Sequence, residues 1–206
     1  MMNCMLRVTL VALVTLLLVP IIGLSTVAAA ADVPLIEAVR GHDQPAVRDL
    51  LQRGADVNTR EGDGATALHW AVHLNDAETV TLLLEAGAAV DAVNDLGVAP
   101  LLIAATNGNA DIVTVLLEAG ANPNGGPPER ERPLMRAAWV GSNAVVTALL
   151  DAGADPNAVE SARHQTALMW AVSERHSAVV RALVQGGADV DAATVSHLTG
   201  RRALRD

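Results

Sequence analysis

His69 and His73 lie four residues apart, so a helix carrying them would place both on one face. That is the spacing of a zinc-binding H-E-x-x-H helix. Trp70 stands where such a motif needs its glutamate, and no third ligand follows at a matching interval. The serines beyond the N-terminal region are Ser142, Ser161, Ser173, Ser177 and Ser196, and none lies in a G-x-S-x-G elbow. The single cysteine, Cys4, rules out a disulfide framework and a C-x-x-C site. Glu129 and Glu131 are interleaved with Arg130 and Arg132, which reads as solvated charge rather than an acid–base pair. Gly125-Gly126 runs into Pro127-Pro128, whose missing N–H groups cannot cradle a phosphate. Glu61-Gly62-Asp63-Gly64 is acidic and fits a turn. These residues predict no catalytic site, no metal site and no cofactor.

Composition narrows the class further. The 206 residues are 51 % hydrophobic, yet phenylalanine and tyrosine are absent and the only aromatics are Trp70, Trp139 and Trp170. A core without large rings must be filled by Leu, Val and Ala, which suits thin helical layers packed closely. Lysine is also absent, and the formal net charge is −9. That balance argues against a general nucleic-acid binder, which needs a basic face to neutralise phosphates.

The first segment has the build of a targeting sequence. Arg7 precedes an almost wholly apolar run, Leu10 to Leu24, and Ala28–Ala31 follow before the next charge at Asp32. A basic start, an apolar run and small residues at the end predict a signal peptide over 1–31, cleaved after Ala30 or Ala31. The expected location is exported, periplasmic or secreted. An uncleaved leader would instead anchor the protein to a membrane. The lysine-free composition, rich in Ala, Arg, Gly and Val, suggests GC-rich coding and a bacterial source.

The remaining chain repeats. Gly-Ala pairs begin at Gly54, Gly87, Gly120, Gly153 and Gly187, at intervals of 33, 33, 33 and 34. A second ladder keeps the same spacing: Val33-Pro34-Leu35, Thr66-Ala67-Leu68, Ala99-Pro100-Leu101, Arg132-Pro133-Leu134 and Thr166-Ala167-Leu168. A period this regular over five copies marks a solenoid. Each unit predicts two short helices. The first opens at a proline or after a threonine cap. The second carries an i, i+3, i+4 stripe, such as Val113, Leu116 and Leu117, that is expected to be core. It stops at the Gly of the Gly-Ala pair, which tolerates the left-handed conformation that ends a helix.

Thr66-Ala67-Leu68-His69-Trp70-Ala71 resembles the T-P-L-H-x-A motif of ankyrin repeats, and Leu82-Leu83-Leu84-Glu85-Ala86-Gly87-Ala88 resembles the end of the same unit. The resemblance implies an all-α ankyrin-repeat solenoid of about five helix pairs joined by hairpin-like loops, preceded by the signal peptide. The repeats are expected over 32–193, at about 32–62, 63–95, 96–128, 129–162 and 163–193, with 194–206 a partial repeat or C-terminal cap. It also implies that His69 braces its loop by hydrogen bonds, although Ile36, Leu102, Met135 and Met169 replace it in the other units. The loop at 125–131 departs from the Asp-x-x-Gly pattern and should be irregular. The loop from Ala158 to Gln165 holds one extra residue.

Function then moves to surface recognition, and the resemblance implies a concave face built from loop tips and the C-terminal ends of the first helices. Mapped onto this sequence, the partner-binding residues are Arg40, Arg60, His73, Leu74, Leu96, Thr106, Asn107, Trp139, Val140, Ser173 and Glu174. Further tip residues are Asp63, Asp95, Val98, Glu129, Glu131, Arg163 and Gln165. Trp139 is singled out as a hot spot facing the groove, whereas Trp70 and Trp170 are expected in the core. The reading is an exported, non-catalytic protein that holds a partner protein as scaffold, inhibitor or stabiliser, with no nucleic acid and no small-molecule substrate. The alternative is a recognition module of a longer enzyme, or a membrane-anchored ankyrin protein.

Overall fold

In the computed structural model the described residues are 33–126 and 131–192. The expected leader over 1–31, the cap over 194–206 and the tip residue Glu129 lie outside them. Ten helices form within the described residues. They are α1 (Val33–Arg40), α2 (Gln44–Gln52), α3 (Ala67–His73), α4 (Ala77–Glu85), α5 (Pro100–Asn107), α6 (Ala110–Glu118), α7 (Pro133–Val140), α8 (Asn143–Asp151), α9 (Ala167–Ser173) and α10 (Ser177–Gln185).

Local chemistry sets their ends. Pro100 and Pro133 sit at the first turns of α5 and α7, where a missing N–H costs nothing. The second helices α2, α4 and α6 are capped by Asp43, Asp76 and Asn109, whose side chains accept from Ala46, Thr79 and Ile112 N–H. Burial pushes the Asp76 carboxyl up, but the Thr79 hydroxyl and N–H, with His42 nearby, outweigh it and hold the group below its ordinary value. The glycine of each Gly-Ala pair has φ between +81° and +91°, the left-handed conformation that stops the second helix.

The helices stack in two layers. The first helices α1, α3, α5, α7 and α9 pack in succession, and so do the second helices α2, α4, α6, α8 and α10. Ala71, Ala104, Ala137 and Ala171 are fully buried where first helices meet, and these small side chains let the backbones approach. Leu83, Leu116, Leu149 and Leu183 are fully buried in the second layer. Leu117, also expected in the core, is only partly buried, because its position at the edge of the stripe turns toward solvent. The hairpin-like character of the loops is slight. The first loop has one antiparallel bridge, Arg60 with Thr66, and the second closes with Asn94 N–H donating to Val98 O at 3.1 Å.

A polar ladder joins the units along the Gly-Ala turns. Asn58 donates to Gly87 O and accepts from Ala89 N–H. Asn124 does the same to Gly153 O and Asp155 N–H, and Asn157 to Gly187 O and Asp189 N–H. At the equivalent position Asp91 only accepts, from Asn122 N–H. A carboxylate has no donor for the carbonyl that the asparagines reach. Asp91→Asn is therefore expected to stabilise the protein by about 0.5–1 kcal/mol, read as a higher urea midpoint at unchanged slope.

Candidate partner-binding surface

The face is built by two positions of each first helix. The fifth residue of the repeat motif is Glu37, Trp70, Ile103, Arg136 or Trp170, and the eighth is Arg40, His73, Thr106, Trp139 or Ser173. Residues three apart share a helix face, and stacking brings the eighth position of one unit against the fifth of the next. The Arg40 guanidinium lies 4.5 Å from the Trp70 ring centre. Arg136 Nε donates to Thr106 Oγ1 at 3.3 Å. Within single helices, His73 stands edge-on to Trp70 and Arg136 lies 4.7 Å from the Trp139 ring.

Carboxylates hold the guanidiniums in place. Arg40 reaches Glu37 at 3.3 Å and Glu61 at 3.4 Å, and Glu61 also accepts the Trp70 indole N–H at 2.7 Å. Arg136 donates to Glu131 at 3.0 Å. Between these two clusters lies a hollow of about 430 Å³, lined by His73, Val98, Leu102, Ile103, Thr106, Asn107, Glu131 and Arg136. Ile103 lines it from the fifth position, which holds an indole in the units of Trp70 and Trp170.

Of the partner-binding residues expected from sequence, His73, Thr106 and Asn107 meet in the hollow, joined by the tip residues Val98 and Glu131. Trp139 is 41 % exposed and Val140 37 %. Arg40 stays exposed while stacked on Trp70, and Ser173 and Glu174 are exposed beyond Trp170.

Other expected residues have structural work. Arg60 donates to Val93 O at 2.7 Å and stands 3.8 Å from Asp95, tying two loops together. Asn107 donates to Val72 O and Asn75 Oδ1 in the preceding unit. Leu74 packs against the core and is only partly open. Leu96 is 63 % exposed on its loop but does not line the hollow. Asp63 caps its own turn, accepting from Ala65 N–H. Arg163 is exposed, while Gln165 turns inward and its Oε1 is buried without a hydrogen-bond partner.

The tryptophans expected in the core need correction. Trp70 and Trp170 pack against the core yet remain partly exposed, because the fifth position faces along the surface rather than into the alanine seam. Their N–H groups differ. One extra loop residue leaves Glu160 turned onto Ala162, Arg163 and Gln165 N–H of its own loop, and the Trp170 Nε1 is buried without a partner.

Leu102, Ile103 and Arg136 were not among the residues expected to bind. The signal for two of them was present, since the fifth position changes chemistry from unit to unit while the third stays Leu and the sixth Ala.

His69 is the brace that the ankyrin motif implies. Its Nδ1 accepts Thr66 N–H at 3.1 Å, with Thr66 Oγ1 2.9 Å away, so the proton sits on Nε2 and is donated to Val98 O at 3.0 Å. Both nitrogens are occupied, which leaves none for a metal. Burial holds the imidazole below its ordinary value of 6.5, outweighing the Val98 carbonyl that favours charge.

The stack of helix pairs with a chemically varied first-helix face defines a helical-repeat recognition scaffold. The chain belongs to the ankyrin-repeat family, whose three-copy family model matches residues 35–126, 75–160 and 125–194. Such repeats are generally non-catalytic modules of protein–protein interaction. No curated protein matches the chain.

The His69 geometry sets a pH dependence. The unfolded chain binds a proton near 6.5 and the folded chain only at lower pH. The stabilising share of neutral His69 is complete above that value and is lost as pH falls toward the folded pKa. In urea unfolding, the stability gap between the native protein and His69→Leu should narrow from pH 7.5 to pH 5.5.

Proposed function

We propose that the first-helix face binds a partner protein, with the hollow between α3, α5 and α7 and the neighbouring Trp139 at its centre. The chain acts by equilibrium binding, as a non-catalytic scaffold, inhibitor or stabiliser. The proposed setting is the periplasm of a bacterium, or secretion from it, after residues 1–31 are removed as a signal peptide. The apolar run from Leu10 to Leu24, the alanines that follow and the lysine-free composition support that setting.

The observation that carries the reading is Trp139. A side chain this large, 41 % exposed, lies 4.7 Å from Arg136, which also lines a hollow with Leu102 and Ile103. An indole that is already oriented loses little freedom on binding, and Trp and Arg are the residues on which interface energy concentrates. The flanking ion pair of Arg136 with Glu131 supplies polar contacts that fix orientation.

Capture from periplasmic extract with residues 32–206, run beside Trp139→Ala, tests this. The variant should keep its unfolding midpoint and lose about 2 kcal/mol or more of binding, roughly thirtyfold in affinity. Equal retention of the same partner on both baits would place binding on another surface. A variant that unfolds would place Trp139 in the core.

A further inference from the structure

Charge is unevenly spread along the array. Residues 61–126 carry nine aspartates and glutamates and no arginine, and the chain has no lysine. Two of these acids stand together on the loop edge beside the hollow. Asp95 N–H donates to Asp63 O at 2.9 Å, and Asp95 Oδ1 lies over Gly64, where a β-carbon would collide with it. Both side chains are exposed. The turn that carries Asp95 is closed by Asn94 N–H donating to Val98 O at 3.1 Å, and Val98 lines the hollow. The cations nearby are already engaged. Arg60 is tied to Val93 O and Asp95, Arg40 to Glu37 and Glu61, and Arg136 to Glu131. Asp63 accepts Ala65 N–H and forms no ion pair among the described residues.

An apolar hollow beside uncompensated carboxylates fits one kind of occupant. The field of an acidic array attracts a basic partner and repels an acidic one. A neutral partner would leave Asp63 and Asp95 without a counter-charge. Resting on the first-helix face as the recognition surface, we propose that the partner presents a basic, apolar segment. An aliphatic side chain enters the hollow against Val98, Leu102 and Ile103, and a lysine or arginine two residues along pairs with Asp63 and Asp95. Two residues of extended chain span about 7 Å, the reach across a closed turn. Residue 103 then sets specificity, because an indole at this position, as in the units of Trp70 and Trp170, takes up the room that the aliphatic side chain needs.

The test is an amide NMR titration of the full chain with acetylated, amidated pentapeptides. Lys-Ala-Leu-Ala-Lys is expected to shift the amides of Val98, Ile103 and Thr106. It should bind roughly tenfold tighter than Glu-Ala-Leu-Ala-Glu or Lys-Ala-Gly-Ala-Lys, and more weakly as salt rises. Ile103→Trp should abolish the shifts at an unchanged Tm. Asp63→Asn with Asp95→Asn, in which the acceptor for Ala65 N–H is kept, should bring the lysine and glutamate peptides to similar affinity. No shifts, or equal binding of all three peptides, overturns the proposal. So do shifts confined to α4 and α6, where Glu85 and Glu118 would be attracting the lysines alone. Partner capture separates this outcome from failure of the face itself. A partner lost on Trp139→Ala while the peptides fail leaves the face standing and removes the basic, apolar chemistry. A partner retained on both Trp139→Ala and Ile103→Trp removes both.

Discussion

The contact between one helix pair and the next is the interaction on which this protein depends. A single pair has no core of its own, and stability accumulates only as units bury each other's faces. Alanines at 71, 104, 137 and 171 form the seam of the first layer, and leucines at 83, 116, 149 and 183 that of the second. The asparagine ladder fixes the register of this stack, because each rung pairs a donor and an acceptor with the next unit's backbone. A seam of small side chains has no room for indoles. The absence of aromatics from the core and their appearance on the first-helix face are therefore one fact seen from two sides.

That placement links packing to recognition. Trp70 and Trp139 each lie beside a guanidinium, and carboxylates hold both guanidiniums. The ion pairs are partly exposed and contribute little stability individually. Their effect is to restrict long side chains before a partner arrives, which lowers the entropy cost of association. The hollow between the two clusters is lined by Ile103, at the position where two other units carry tryptophan. Variation at a single repeat position thus shapes the face without disturbing the layers beneath it.

The period, the helix ends and the bracing role of His69 were legible in the sequence, since glycine at positive φ, proline at a first turn and the motif histidine are local signals. The site was legible only in part. Eighth-position residues such as His73, Thr106 and Trp139 could be placed on the face from register alone. Fifth-position residues could not, because a tryptophan there both packs on the core and opens to solvent. The roles of Arg60 and Asn107 as ties between units depend on partners about one repeat away, which no local pattern reveals. The orphaned Trp170 N–H follows from one added loop residue whose effect on Glu160 is visible only in three dimensions.

The claim that recognition resides on the first-helix face is tested most directly by amide hydrogen exchange of the protein alone and with its captured partner bound. The account predicts added protection in α3, α5 and α7 and in the loop around Val98, with α4, α6 and α8 little changed. Protection confined to the second helices, or to the Gly-Ala turns, would contradict it.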